Sequence, residues 1–191
     1  MTDQTKTLPK DAALIMIDVQ KGFDDPTWGP RSTPEAESNI AKLLDAWRKT
    51  GRPLFHTQHA SRRPGSLLWP ESPGFDFKDA AKPHPGEPVI RKNVNSGFIG
   101  TDLEARLRQN GLKTLVFGGL TTEHCVSTTA RMAGNMGFDV YVVSDATASF
   151  DRTGPDGKRY GADEVHAISL ATLHEEFGTV LDTESLLKRL K

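Results

Sequence analysis

One cysteine stands in the whole sequence, Cys125, so no internal disulfide can form, and in a reducing compartment its thiol is free. Isolated cysteines are often packed as small hydrophobes, and composition alone does not make this one reactive. Long apolar runs are missing as well. No stretch approaches the roughly 20 residues needed to cross a bilayer, and the opening MTDQTKTLPKD has no apolar core of a secretory leader, so a cytoplasmic protein is expected. An excess of one charge is also lacking: 24 Lys and Arg face 25 Asp and Glu, which gives no support for a nucleic-acid or membrane partner. Internal repeats, low-complexity tracts, GxSxG and GxGxxG are all absent, which weighs against a serine hydrolase and a dinucleotide-binding protein.

What is present fits an ordinary globular chain. At 191 residues, with 26% charged and 36% hydrophobic, it suits one domain, taken here as 1–191, with a core sized for a five- or six-stranded sheet. The run AALIMIDV over 12–19 reads as a buried strand closed by an acid. Ile40, Leu43, Leu44 and Trp47 fall on one face of a helix that ends near Gly51, and residues 53–57 read as the second strand. Residues 61–88, rich in Pro and Gly, form a loop long enough to wall a pocket. A third strand covers 88–92, and Thr101 with Glu104 suggests a capping box before a helix that stops at Gly111.

KTLVFG and FDVYVVS are two further strand runs, separated by a helical stretch over 123–136. A last helix is expected over 162–176, with Ala162, Val165, Ile168 and Ala171 at helical spacing, and a sixth strand over 178–181. Strands alternating with helices mark an α/β fold with a parallel sheet. In such a sheet ligands bind beyond the carboxyl ends of the strands, near the point where strand order reverses. Asp18, Lys92 and the turn over 118–125 all fall at such ends.

These residue types suggest chemistry. At the first turn of a helix after a strand, free amides and the helix dipole favour a thiolate, so the Cys125 pKa is expected to be lowered. Gly118 and Gly119 permit a tight turn that brings the amides of Thr121 and Cys125 together as an oxyanion hole. Asp18 fits a base that takes the thiol proton and returns one to a leaving amine. Lys92 supplies a positive charge near both. Each residue alone has a plainer reading, since an acid after a strand is often a helix cap and a lysine at a strand end is most often solvated.

Taken together, ALIMIDVQKGF, VIRKNVNSGFIGTDLEARLR, GGLTTEHCVSTTARMAGNMGFDVYVVSDATAS and ADEVHAISLATLHEEFGTVL resemble the isochorismatase-like cysteine hydrolases, the group that also contains nicotinamidases. The likeness spans nearly the whole chain. It implies a three-layer, Rossmann-like fold with a six-stranded parallel sheet flanked by helices, and a catalytic triad of Asp18, Lys92 and Cys125. It also implies a non-proline cis peptide between Leu120 and Thr121, and a homo-oligomer, dimer or tetramer. Nicotinamidases of this group hold a metal with an Asp-x-His pair after the second strand. The matching stretch here is His59-Ala60-Ser61, and His56 and His59 lack a clear third partner, so no metal and no cofactor are expected.

The reaction expected is hydrolysis of a C–N bond in a small amide, urea or carbamoyl compound through a Cys125 thioester. Gln20, Phe23, His59, Trp69 and Phe98 are the candidates for substrate binding. Two alternatives stand beside this reading. One is vinyl-ether hydrolysis by Asp18 as in isochorismatase proper, against which the presence of Cys125 argues; the other is a non-catalytic or redox-sensing protein that uses the lone thiol.

Overall fold

The unbroken apolar run ALIMI becomes β1 (Ala13–Ile17), every residue of it buried, as a strand covered on both faces requires. The computed structural model describes residues 7–190. The first six residues, part of the opening in which no secretory leader is expected, and Lys191, the last of the expected 1–191 domain, lie outside the described residues. The other elements follow in chain order: α1 (Ala36–Thr50), β2 (Leu54–His59), β3 (Val89–Lys92), α2 (Leu103–Gln109), β4 (Thr114–Leu120), α3 (Ser127–Asn135) and β5 (Asp139–Ala148). The chain then makes a small hairpin of β6 (Arg152–Thr153) and β7 (Arg159–Tyr160), and ends with α4 (Ala162–Ala171), β8 (Thr179–Leu181) and α5 (Thr183–Leu187).

Six strands form one parallel sheet in the order β3-β2-β1-β4-β5-β8. The order reverses between β1 and β4, which creates the crevice where a ligand can enter. Successive residues of a strand face opposite sides, and the two cores follow that alternation. Ala13, Ile15 and Ile17 of β1 pack with Leu103 and Leu107 of α2 and Ala130 and Ala133 of α3. Leu14 and Met16 pack on the other side with Ile40, Leu43, Leu44 and Trp47 of α1 and Leu186 of α5. The result is the helix–sheet–helix sandwich read from the sequence. Among the described residues, no helix is long and apolar enough to cross a membrane.

Three local expectations are corrected. Thr101 does not build a capping box: its hydroxyl donates to the Gly97 carbonyl at 2.6 Å, Asp102 occupies the cap position, and Glu104 pairs with Arg108 one turn on. The helix expected over 162–176 stops at Ala171 and is not the last, since α5 follows β8, and the Ala162-Val165-Ile168-Ala171 face does not form its inward side, since Ile168 is 56% exposed. Helical spacing identifies a stripe, but the phase of that stripe is set by what the helix packs on. Cys125 lies not in the first turn of an α-helix but in a π-helical turn, Thr122–Val126, that leads into α3.

Candidate active site

Three strand ends deliver the reactive groups to one place. Asp18 follows the last residue of β1, its backbone in the left-handed region at φ 49°. Lys92 closes β3, and Cys125 follows β4 in the π turn. β2 lies between β1 and β3, so the two backbones stand two strand spacings, roughly 10 Å, apart, and the gap is closed from both sides, by the Asp18 side chain and by the Lys92 stem. Its ammonium nitrogen ends 2.5 Å from Asp18 Oδ2, with both side chains fully buried. The Asp18 carboxylate, the His59 ring and the Cys125 sulfur each present an atom within 4.8 Å of the other two.

Backbone packing holds this arrangement. A Cβ on Gly119 would stand 2.1 Å from the Ile17 carbonyl oxygen, and the residue has φ 122°, so only glycine lets β4 approach β1 this closely beside Asp18. The Leu120–Thr121 peptide is cis.

Thr57, on β2, is the residue that sequence reasoning missed. Its hydroxyl donates to Asp18 Oδ1 at 2.6 Å, and the Asp18 amide lies 3.2 Å from the Thr57 carbonyl and hydroxyl oxygens. Oδ1 is thus satisfied by a neutral donor, while Oδ2 has the Lys92 ammonium in ion-pair contact and no aligned hydrogen bond besides. Nothing in the run LFHT distinguishes this threonine from an ordinary strand residue.

Lys92 also donates to the Val94 carbonyl at 3.1 Å and lies 3.3 Å from His59 Nδ1, its neighbour across the β2–β3 ladder. Burial works against its charge, but interaction with Asp18 first and with the Cys125 sulfur second outweighs this and raises its pKa. The His59 pKa falls through burial and the nearby Lys92 charge, so its ring is neutral at pH 7.

For Cys125 the expected lowering is reversed. Burial pushes its thiol up, the Asp18 carboxylate pushes in the same direction, and Lys92 only partly opposes them. Burial and the neighbouring acid thus both favour the protonated thiol.

The group opens onto a cavity of about 490 Å³. Phe23 and Trp28 form one wall, with ring centres 5.3 Å apart and Phe150 stacked behind them. Of the residues expected to bind substrate, Phe23 and His59 line this cavity. Gln20 does not. It is fully buried, accepting from the His59 amide at 2.8 Å and donating to the Phe75 carbonyl at 2.9 Å, so it clamps the backbone behind the site. Phe98 stacks on Phe138 in the core at 6.2 Å, and Trp69 is half-buried in the loop without lining the cavity. Trp28, Arg63, Asn95 and His124 line it instead.

The side chains do not suit a metal. His56 points away from the site, its Nε2 2.9 Å from Glu87. Asp18, His59 and Cys125 are ligand-type residues, but the Lys92 ammonium already sits among them as a fixed positive charge, which opposes a second cation.

Comparison with known proteins agrees with the fold. The family model described as the isochorismatase domain matches residues 12–185. The isochorismatase family protein YrdC of Bacillus subtilis is 51% identical over 175 residues, covering 92% of this chain and 94% of YrdC. A crystal structure of an isochorismatase-family protein from Chromobacterium violaceum superimposes with a TM-score of 0.96 at 46% identity, covering 100% of this chain and 98% of that one. At greater distance, ureidoacrylate amidohydrolase RutB of Methylobacterium radiotolerans is 27% identical, covering 91% of this chain and 77% of RutB.

Proposed function

The chain belongs to the isochorismatase family and is a hydrolase, and from that premise we propose that it cleaves the C–N bond of a small amide, urea or carbamoyl compound through a thioester on Cys125. The observation that carries the reading is the juxtaposition of thiol, carboxylate and ammonium, with the thiol lining an open cavity and the other two buried behind it. The amidohydrolase activity in the name of RutB supports C–N chemistry over vinyl-ether chemistry.

In this reading Asp18 takes the thiol proton as the sulfur bonds to the carbonyl carbon. The carbonyl oxygen becomes negative and is held by the amides of Thr121 and Cys125. Collapse of that intermediate breaks the C–N bond, and protonated Asp18 gives its proton to the departing nitrogen, which leaves as ammonia or an amine. Water then attacks the thioester, Asp18 accepts its proton, and the C–S bond breaks. Asp18 returns the proton to sulfur, leaving the acid product and the free thiol. Lys92 keeps the carboxylate oriented and balanced in charge throughout, and Thr57 fixes the other oxygen.

The raised thiol pKa fits this cycle, because a carboxylate 4.8 Å or less from a protonated thiol is placed to act as base. It also weighs against a redox sensor, since sensing cysteines are exposed and carry a low pKa. The test is a screen of primary amides, ureas and N-carbamoyl compounds for ammonia release, run beside Cys125→Ala. Turnover by the wild type and none by the variant is expected; equal turnover by both would overturn the reading.

A further inference from the structure

The loop over the cavity carries a charge that nothing answers. Arg63, Pro64, Gly65 and Ser66 make a turn in which the Ser66 amide donates to the Arg63 carbonyl at 3.1 Å, with Gly65 at φ 78°. Proline at the second position and a left-handed glycine at the third are the signature of a type II turn. The loop is closed by the Ser61 amide donating to the Leu68 carbonyl at 3.0 Å, and Leu68 is buried against Phe23 and Phe150. Arg63 is thereby held on the rim of the cavity that contains Cys125.

The charges around that cavity do not cancel. The Asp18 carboxylate is matched by Lys92, and the Glu123 carboxylate by Arg152. No aspartate or glutamate is among the described residues that line the cavity. The Arg63 guanidinium has no hydrogen bond or ion pair to any described residue, whereas Arg31, Arg48, Arg152 and Arg159 each pair with a carboxylate. A guanidinium presents a planar fork that matches a carboxylate.

We propose that Arg63 is a specificity-determining residue that selects substrates bearing a carboxylate at the end remote from the scissile bond. The inference rests on the amide-hydrolase reading and adds the substrate class: anionic amides or ureido acids, not neutral or cationic ones. The aromatic wall of Phe23 and Trp28 would cover the body of the substrate while Arg63 holds its tail.

The experiment compares adipamate, hexanamide and 6-aminohexanamide, three primary amides of similar length with a negative, neutral and positive tail. Binding to the Cys125→Ala protein is measured by calorimetry, and turnover by the wild type is measured in parallel. Adipamate should bind about tenfold more tightly than hexanamide, and 6-aminohexanamide most weakly. Added Arg63→Gln should abolish that order, Arg63→Lys should keep part of it, and raising salt should compress it in the protein with Arg63. Equal binding of the three, no binding of adipamate, or a carboxylate preference that survives Arg63→Gln would overturn the proposal. Charge-ordered binding without ammonia release from any of the three would sustain the role of Arg63 and count against amide hydrolysis instead.

Discussion

The two ends of the sheet each carry a hollow of similar size, about 490 Å³ at the carboxyl ends of the strands and about 520 Å³ at the amino ends. The second is bordered by Pro53, Leu54, Pro88 and Arg106, and it brings no nucleophile, base and buried cation together. Volume therefore does not distinguish a site from a surface dent. What distinguishes the carboxyl end is that the chain leaving β1, β3 and β4 brings an acid, a lysine and a thiol together there, the first two fully buried. A parallel sheet makes this possible because all its strands end on the same side.

Each rim also has a carboxylate clamp. At the carboxyl end Glu37 binds Arg31 and Lys78; at the amino end Glu87 binds Arg48 and His56. The clamps are alike and the hollows are not, so the proposed chemistry rests on what lines the hollow and not on the clamps.

The comparison breaks first at Cys125. Cys125→Ala should lower turnover at least about 10⁴-fold while the folded structure, followed by circular dichroism, persists. Asp11→Asn, which alters the amino-end hollow, should leave turnover within about twofold, and a comparable loss there would erase the distinction between the two ends. Lys92→Ala is expected to cost about 3–5 kcal/mol of stability in denaturant unfolding, because it leaves Asp18 charged and unpaired in the interior. Thr57→Val removes the donor to Asp18 Oδ1. It should cost about 1–3 kcal/mol of stability and lower turnover about tenfold to hundredfold by loosening the base. If turnover fell no more than it does for Asp11→Asn, Thr57 would belong to the fold and not to the chemistry.

The smallest effect concerns the clamps. Glu87 is held at about 2 against an ordinary 4.5: burial works against its charge, but donation from Arg48, the His84 amide and His56 outweighs it. The stability it contributes is present in full above pH 4.5 and is lost as pH falls toward 2. The gap in melting temperature between the wild type and Glu87→Gln should therefore narrow across that window, and a gap that stayed constant would contradict the assignment. Glu37, also held at about 2, should behave alike at the other rim, with burial again outweighed by donation from Arg31 and Lys78.

How much of this was legible beforehand varies with the kind of residue. Strand β1 was readable because a strand buried on both faces admits only apolar residues, and its terminal acid stands out against them. The meeting of Asp18, Lys92 and Cys125 followed from topology, since their positions at strand ends were visible before any contact was. Thr57 was not legible, because a threonine in a strand looks the same whether or not its hydroxyl meets a carboxylate. Gln20, Trp69 and Phe98 were proposed for the pocket from their place after strands or in loops. The direction of a loop side chain depends on its packing, which spacing does not encode. The thiol pKa was misjudged for a related reason: the helix terminus was visible in the sequence, but the burial that opposes it and the acid beside it become quantities only in three dimensions.

The central claim is that the Cys125 sulfur bonds to the substrate carbonyl. Acid quenching during turnover of an amide identified in the ammonia screen, followed by peptide mass mapping, tests it directly. The account predicts an added mass equal to the acyl part of the substrate on the peptide containing Cys125. Steady turnover with no such adduct at any quench time, joined with activity retained by Cys125→Ala, would contradict it.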